Sequence, residues 1–183
     1  IGHTGLVGTN LLRQRSFDAC FNSRNIETIE GREFGTVVCC GGSGTKWSAN
    51  QDPVADWRAI EALLTILRTV RSRHFILIST IDVYSDVAAG SDERTMPVPT
   101  GNHAYGRHRL EVERRVTALF NKVTIVRLPG IFGAGLRKNL VYDLIHAHYL
   151  ESAQGRSQYQ WYSLDRLGSD LDRILAADLE VVN

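Results

Sequence analysis

Gly2-His3-Thr4-Gly5-Leu6-Val7-Gly8-Thr9-Asn10-Leu11-Leu12 reads as a tight glycine turn that runs straight into a helix. Gly2 lets the backbone turn sharply. Gly5 presents no side chain, so a pyrophosphate can approach the main chain. Gly8 lets the new helix pack closely on a strand. The N–H groups and positive end of that helix then face the phosphates, with Thr4, Leu6 and Val7 in the same loop as candidate contacts. The spacing is G-x-x-G-x-x-G rather than G-x-G-x-x-G, and a plain strand-to-helix turn would read the same way. Only Ile1 precedes the first glycine. The strand that such a turn follows is therefore expected to be cut short, and the chain to be a fragment.

Outward from this turn, apolar runs alternate with helical patterns. Helices are expected over 5–15, 54–71, 103–120, 138–150 and 164–177. The helix over 54–71 carries Ile60, Leu63, Leu64 and Leu67 on one face. Strands are expected over 18–22, 36–40, 74–79 and 123–127, the second ended by Gly41-Gly42-Ser43-Gly44. Residues 24–35 are too few for a full crossover helix, so a turn or small strand is expected there. Strands that are apolar throughout, separated by amphipathic helices, predict an α/β fold with a doubly wound parallel sheet covered on both faces. Its crossovers must be right-handed.

Composition narrows the class. The 183 residues are 43% hydrophobic and 22% charged, ordinary for one soluble domain with a sizeable core. A net charge of +1 leaves no footprint for nucleic acid or an anionic membrane. No apolar run is long enough to span a bilayer. The three cysteines, Cys20, Cys39 and Cys40, form no C-x-x-C pair and read as small core residues in a reducing, cytoplasmic compartment.

Three further stretches carry chemistry. The second strand should end near an adenosine ribose, where an acid would hold a 2′-hydroxyl. That place reads Asn22-Ser23-Arg24, with no acid before Glu27. Arg24 suits a 2′-phosphate in forked geometry, which favours NADP over NAD; a solvated surface arginine would look the same. The buried strand over 74–79 runs into Ser79-Thr80-Ile81-Asp82-Val83-Tyr84, at the carboxyl end where α/β sheets bind ligands. Tyr105 and Arg109 lie four apart on one helical face. A cation there is expected to lower the Tyr105 pKa from about 10 toward neutrality, letting the phenol exchange a proton with a substrate oxygen while hydride moves. Each residue alone could equally be a packing aromatic, a solvated charge or a strand-end hydroxyl.

Together, and in order, these segments resemble the extended short-chain dehydrogenase/reductase family, the NAD-dependent epimerases and dehydratases. Gly2-x-x-Gly5-x-x-Gly8 is similar to its nucleotide loop and Ser79–Tyr84 to its S-S/T-x-x-V-Y segment. Tyr105 falls 25 residues after Thr80, where that family carries the Tyr of Y-x-x-x-K. Arg127-Leu128-Pro129-Gly130-Ile131-Phe132-Gly133 is similar to the R-x-x-N-V-Y-G stretch beside the nicotinamide. The resemblance implies a Rossmann-like fold and a nicotinamide cofactor, NADP expected and NAD left open. It implies Tyr105 as acid/base, Arg109 at the place of the Lys, and Thr80 on the substrate oxygen. Pro129, Gly130 and Ile131 would line the nicotinamide, and Gly41 and Gly42 the adenine side. Two departures stand out. Arg109 replaces Lys and Gly130 replaces Asn.

The resemblance also implies a small-molecule substrate, a sugar or sugar nucleotide. Asp82 beside Thr80 and Arg137, Lys138 and Asn139 are the candidates to grip it. Residues 1–133 are expected to form the dinucleotide domain. Residues 134–183 are expected to start a substrate-side region interleaved with the last sheet elements. No metal is expected, because His146 and His148, two apart on a helix, should point to different faces. A homodimer is left open. Two functions fit: an NAD(P)-dependent oxidoreductase, epimerase or dehydratase, and an NADP-binding protein of the same fold with impaired chemistry.

Overall fold

Phe75, Ile76 and Leu77 are sealed from solvent on both sides. They lie mid-strand in β2 (Arg71–Thr80), which runs between β1 (Glu33–Cys39) and β3 (Val123–Leu128). The computed structural model describes residues 1–86, 90–150 and 158–183. Among these the main sheet has the order β1-β2-β3-β6, where β6 is Val181–Val182, and every pairing is parallel. Val37 stands opposite Phe75, Leu77 opposite Ile125, and Ile125 opposite Val181.

Side chains alternate across the strands, and each face finds its own helices. Val37, Cys39, Phe75 and Leu77 pack under α3 (Pro53–Leu67) and α4 (Ala104–Leu119), with Ile60, Leu64, Leu67 and Val116. Phe75 stacks on Phe120 at 4.3 Å. Val38, Ile76 and Val126 face the other way, under α1 (Leu6–Leu12) and α6 (Leu167–Ala176), with Leu11, Leu167, Leu171 and Ile174. The doubly wound arrangement read from the sequence is therefore present.

Local chemistry moved several boundaries. α2 (Lys46–Gln51), which the sequence did not suggest, precedes α3, and Asp52 separates them by accepting a hydrogen bond from Ala55 N at 2.9 Å. α3 stops at Leu67 because Arg71 already joins the sheet edge, donating to Arg32 O at 2.9 Å. The stretch 24–35 holds a 3-10 turn, Ile26–Ile29, and the beginning of β1. The helix expected over 138–150 is only α5 (Leu140–His146), entered at Asn139 and left through Ala147 in the left-handed region. The last helix opens with a 3-10 turn, Leu164–Arg166.

The expected strand over 18–22 is not one. Gly2 N donates to Phe21 O at 2.7 Å, and Ile1 pairs on its other side with Val38 and Cys40. Side chains hold the backbone here. Asn25 Nδ2 donates to Cys20 O, and Asn25 Oδ1 accepts from Asn22 N. Past β3, β4 (Gly130–Phe132) pairs with β5 (Trp161–Ser163) in a small parallel sheet, and α6 and β6 return to the main one.

The separation expected of His146 and His148 is also corrected. The helix ends between them and the chain turns back, so their rings lie 5.9 Å apart around Tyr142. Among the described residues no three His, Cys, Asp or Glu side chains stand where they could hold a metal. No described helix is long and apolar enough to cross a membrane.

Candidate active site

The opening turn divides its three glycines between packing and access. A Cβ on Gly2 would meet Cys40 C and O at 2.7 Å, and Gly2 has φ +79°. A Cβ on Gly8 would sit 2.4 Å from Gly2 O. Gly5 is exposed, and a Cβ there would meet only Gly2 O, at 3.5 Å. It begins α1 with no side chain capping the helix end. Gly42, φ +109°, has nothing within 4 Å of where a Cβ would stand. Open backbone at Gly5 and Gly42, on loops that touch through Gly2 and Cys40–Gly41, is a cradle of the kind a nucleotide diphosphate needs. Leu6 and Val7 are half-buried against the second core, while Thr4 is exposed.

At the adenosine end, Asn22 Oδ1 accepts from Arg24 N at 2.9 Å, a tight turn that leaves Ser23 and Arg24 exposed. The Arg24 guanidinium has no polar partner among the described residues.

Tyr105 enters the site at the start of α4. His103 caps this helix, its Nδ1 accepting from Gly106 N at 3.0 Å, and Asn50 Oδ1 accepts from Tyr105 N. Asn102, buried, donates to Asp82 O at 2.8 Å and to Val83 O at 3.1 Å. A Cβ on Gly106 would come within 2.2 Å of Asp82 O, so only glycine lets α4 approach the turn after Thr80. Thr80 Oγ1 accepts from Asp82 N at 3.1 Å. The Asp82 carboxylate pairs with Lys46 Nζ at 2.6 Å.

The Arg109 guanidinium lies over the Tyr105 ring, Cζ 4.6 Å from its centroid. Its Nη2 donates to Ser43 O at 2.7 Å and to Asp56 Oδ1 at 3.0 Å. Tyr105 and Arg109 are both buried. The expected lowering of the Tyr105 pKa is reversed. Burial pushes it above the ordinary phenol value, outweighing the charge and hydrogen bonding of Arg109, and the Asp82 and Asp56 carboxylates push it further up. At neutral pH the phenol keeps its proton.

The substrate-side candidates are less closely assembled. Arg137 is exposed, with no polar partner among the described residues, and Lys138 reaches Thr45 Oγ1. The Asn139 amide is taken up in capping α5 and in donating to Ile131 O. Gly130 is required where it stands, because a Cβ would press on Gln160 O and the Trp161 ring, both at 2.9 Å. Pro129 and Ile131 flank it, half-buried. The cysteines are free, and burial pushes the Cys40 thiol up to about 12.

Sequence reasoning missed Asp56, Ser43, Asn102 and Glu113. Glu113 alone had a signal, eight residues after Tyr105 on the same helical stripe.

A model of the NAD dependent epimerase/dehydratase family matches residues 14–169, a span that begins after the glycine turn and includes Thr80, Tyr105 and Arg109. No curated protein matches the chain. Among solved structures, dTDP-4-dehydrorhamnose reductase from Clostridium acetobutylicum is similar, with 18% identity and TM-score 0.69, covering 98% of this chain and 70% of that one. The Bacillus anthracis dTDP-4-dehydrorhamnose reductase, in complex with NADP, shares 16% identity at TM-score 0.72, again covering 98% and 70%. MoeE5, in complex with UDP-glucuronic acid and NAD, shares 18% identity at TM-score 0.71 over 96% of this chain and 69% of its own.

Proposed function

The chain belongs to the NAD dependent epimerase/dehydratase family, and we propose that it reduces the keto group of a sugar nucleotide with NADPH. One arrangement supports the choice of reduction: Tyr105 is buried beneath the Arg109 guanidinium, whose Cζ lies 4.6 Å from the ring centroid, and that burial raises its pKa above the ordinary phenol value and favours the protonated form. A group in that state is a proton donor, ready for the oxygen of a carbonyl that is being reduced. NADPH, when bound, supplies the hydride.

The chain's own groups divide the remaining work. Gly5 and Gly42 leave backbone open for the diphosphate, beside the free end of α1. The Arg24 guanidinium, exposed and without a polar partner among the described residues, suits the 2′-phosphate that distinguishes NADP from NAD. Gly2, Thr4, Leu6, Val7, Gly8, Asn22, Ser23 and Gly41 shape the same groove, and Pro129, Gly130 and Ile131 close its reactive end. Thr80 orients the substrate oxygen by its hydroxyl, while Tyr105 donates the proton and Arg109 holds the ring in place. Arg137 and Lys138 remain the cations for a substrate diphosphate, at the start of the substrate-side region that follows residue 133. The Bacillus anthracis reductase is in complex with NADP and MoeE5 with UDP-glucuronic acid and NAD, and both are similar to this chain in fold, which supports the reading.

A second reading has its own support. Arg109 is engaged by Asp56 and Ser43. If it does not turn to the cofactor, the chain is a nucleotide-binding subunit with impaired chemistry. Oxidation of NADPH by a set of nucleotide-linked keto-sugars separates the two. Turnover that falls about 10²–10⁴-fold in Tyr105→Phe supports the reductase. Turnover unchanged in that variant overturns the mechanism. Binding of NADPH without turnover establishes the second reading.

A further inference from the structure

Asp56 sits in the first turn of α3, where an acid ordinarily serves only the helix end. Its side chain is nevertheless 5% exposed and both oxygens are engaged. Oδ1 accepts from Arg109 Nη2 at 3.0 Å, and Oδ2 lies 2.8 Å from His108 Nδ1. His108 in turn packs on Trp57 at 5.4 Å. The carboxylate thus joins α3 to α4 at two successive residues of the helix that carries Tyr105.

The consequence falls on Arg109. One nitrogen of its guanidinium bridges the Asp56 carboxylate and the Ser43 carbonyl, while its Cζ lies 4.6 Å from the centroid of the phenol ring. An ammonium could satisfy two acceptors, but it has no plane to lay on a ring. We infer that Asp56 is the positioning residue of this site: it fixes the Arg109 guanidinium between the Ser43 carbonyl and the Tyr105 ring, and offsets its charge. The arginine and the aspartate are then one device. It ties the loop carrying Gly42 to the helix carrying the proton donor. Burial is the main reason the phenol's pKa stays raised beside this arginine, and the Asp56 carboxylate adds to it.

The charged groups facing the phenol are few. Arg109 stands on α4 itself, Asp56 on α3, and Asp82 in the turn after β2, where Lys46 of α2 neutralises it. The His103 ring is 6.2 Å away. Among the described residues, the Asp56 carboxylate is the one that pairs with the guanidinium over the ring.

This inference deepens the reductase reading, but its test needs neither nucleotide nor substrate. Tyrosinate absorbance, followed against pH and corrected with Tyr105→Phe, reports the Tyr105 phenol alone. In Asp56→Asn the phenolate is expected about one pH unit lower than in the unaltered chain, because the cation above the ring is no longer offset. In an Arg109→Gln background the same Asp56→Asn change should shift it far less. An unchanged or higher titration point in Asp56→Asn overturns the inference, and so does an equal shift in both backgrounds. A second measurement requires no variant to fold. The Arg109 guanidinium protons, held by two acceptors, are expected to exchange slowly with water in nitrogen-resolved spectra. Fast averaging of those protons overturns the clamp, while the proposed reduction could still be observed.

Discussion

Arg127 of β3 and Glu113 of α4 meet inside the protein as a forked pair, Nη2 to Oε2 at 2.7 Å, with side chains 6% and 3% exposed. Ser79 Oγ donates to Glu113 Oε1 at 2.5 Å, and Arg127 Nη1 donates to Tyr84 Oη at 2.7 Å. Tyr84 Oη in turn donates to Asp92 O at 2.8 Å. The network therefore binds α4, the end of β2 beside Thr80, and β3. Tyr105, Arg109 and Glu113 share one stripe of α4, so this pair fixes the rotation of the helix that presents the phenol.

Removing one member leaves the other buried and uncompensated. Glu113→Ala is expected to cost about 3–5 kcal/mol, read as a loss of unfolding free energy in urea. The double replacement Glu113→Leu with Arg127→Met should cost much less than the single one. Equal losses would mean that the pair is not what couples helix to strand.

The opening glycines should separate by function. In Gly8→Ala the new methyl meets backbone at 2.4 and 2.7 Å, so a stability loss of about 1–3 kcal/mol is expected. In Gly5→Ala it meets only Gly2 O at 3.5 Å, and stability should stay within about 0.5 kcal/mol. Nucleotide affinity, by contrast, should fall in Gly5→Ala, where the methyl fills the open cradle. Thermal unfolding and a fluorescence titration with NADPH distinguish the two.

Arg24 stands exposed on a turn held by Asn22, with no polar partner among the described residues. A charged hydrogen bond contributes about 1.5–3 kcal/mol, so Arg24→Ala should weaken NADPH roughly tenfold or more. NADH should be little affected. Equal weakening of both nucleotides would remove the 2′-phosphate from the account.

Mild acid should loosen the fold through two histidines. His103 and His74 both have pKa values below the ordinary imidazole range, chiefly through burial, with Lys46 and Lys122 respectively adding to the effect. The folded chain therefore binds their protons less readily than the unfolded one. Their stabilisation is intact above about 6.5 and is lost as the pH falls through their lowered folded values. His103 also loses its cap on α4 when Nδ1 is protonated. The urea midpoint should decline between neutral and mildly acidic pH, and His103→Asn, which keeps an acceptor at the cap, should flatten part of that slope.

Much of this was legible in the residues. The alternation of apolar runs with amphipathic stretches placed β1, β2, β3, α3, α4 and α6, because burial on two faces demands that pattern. The glycine spacing, the strand end at Thr80 and the Tyr105–Arg109 step are local properties of the chain. The strand expected over 18–22 is instead extended chain leading into a turn that Asn25 holds through Cys20 O and Asn22 N. The two histidines came together because a left-handed residue, Ala147, ended their helix.

Sequence alone determined which groups are one helical turn apart, since α-helical geometry is set by the backbone. It could not determine the state of the phenol. That depended on how deeply Tyr105 is buried and on whether Arg109 is free or paired. Both are decided by contacts across more than fifty residues of chain, with Asp56 arriving from α3 and Ser43 from the loop after β1. A charge four residues away argues for one protonation state; desolvation and a distant carboxylate argue for the other, and in the folded protein they win.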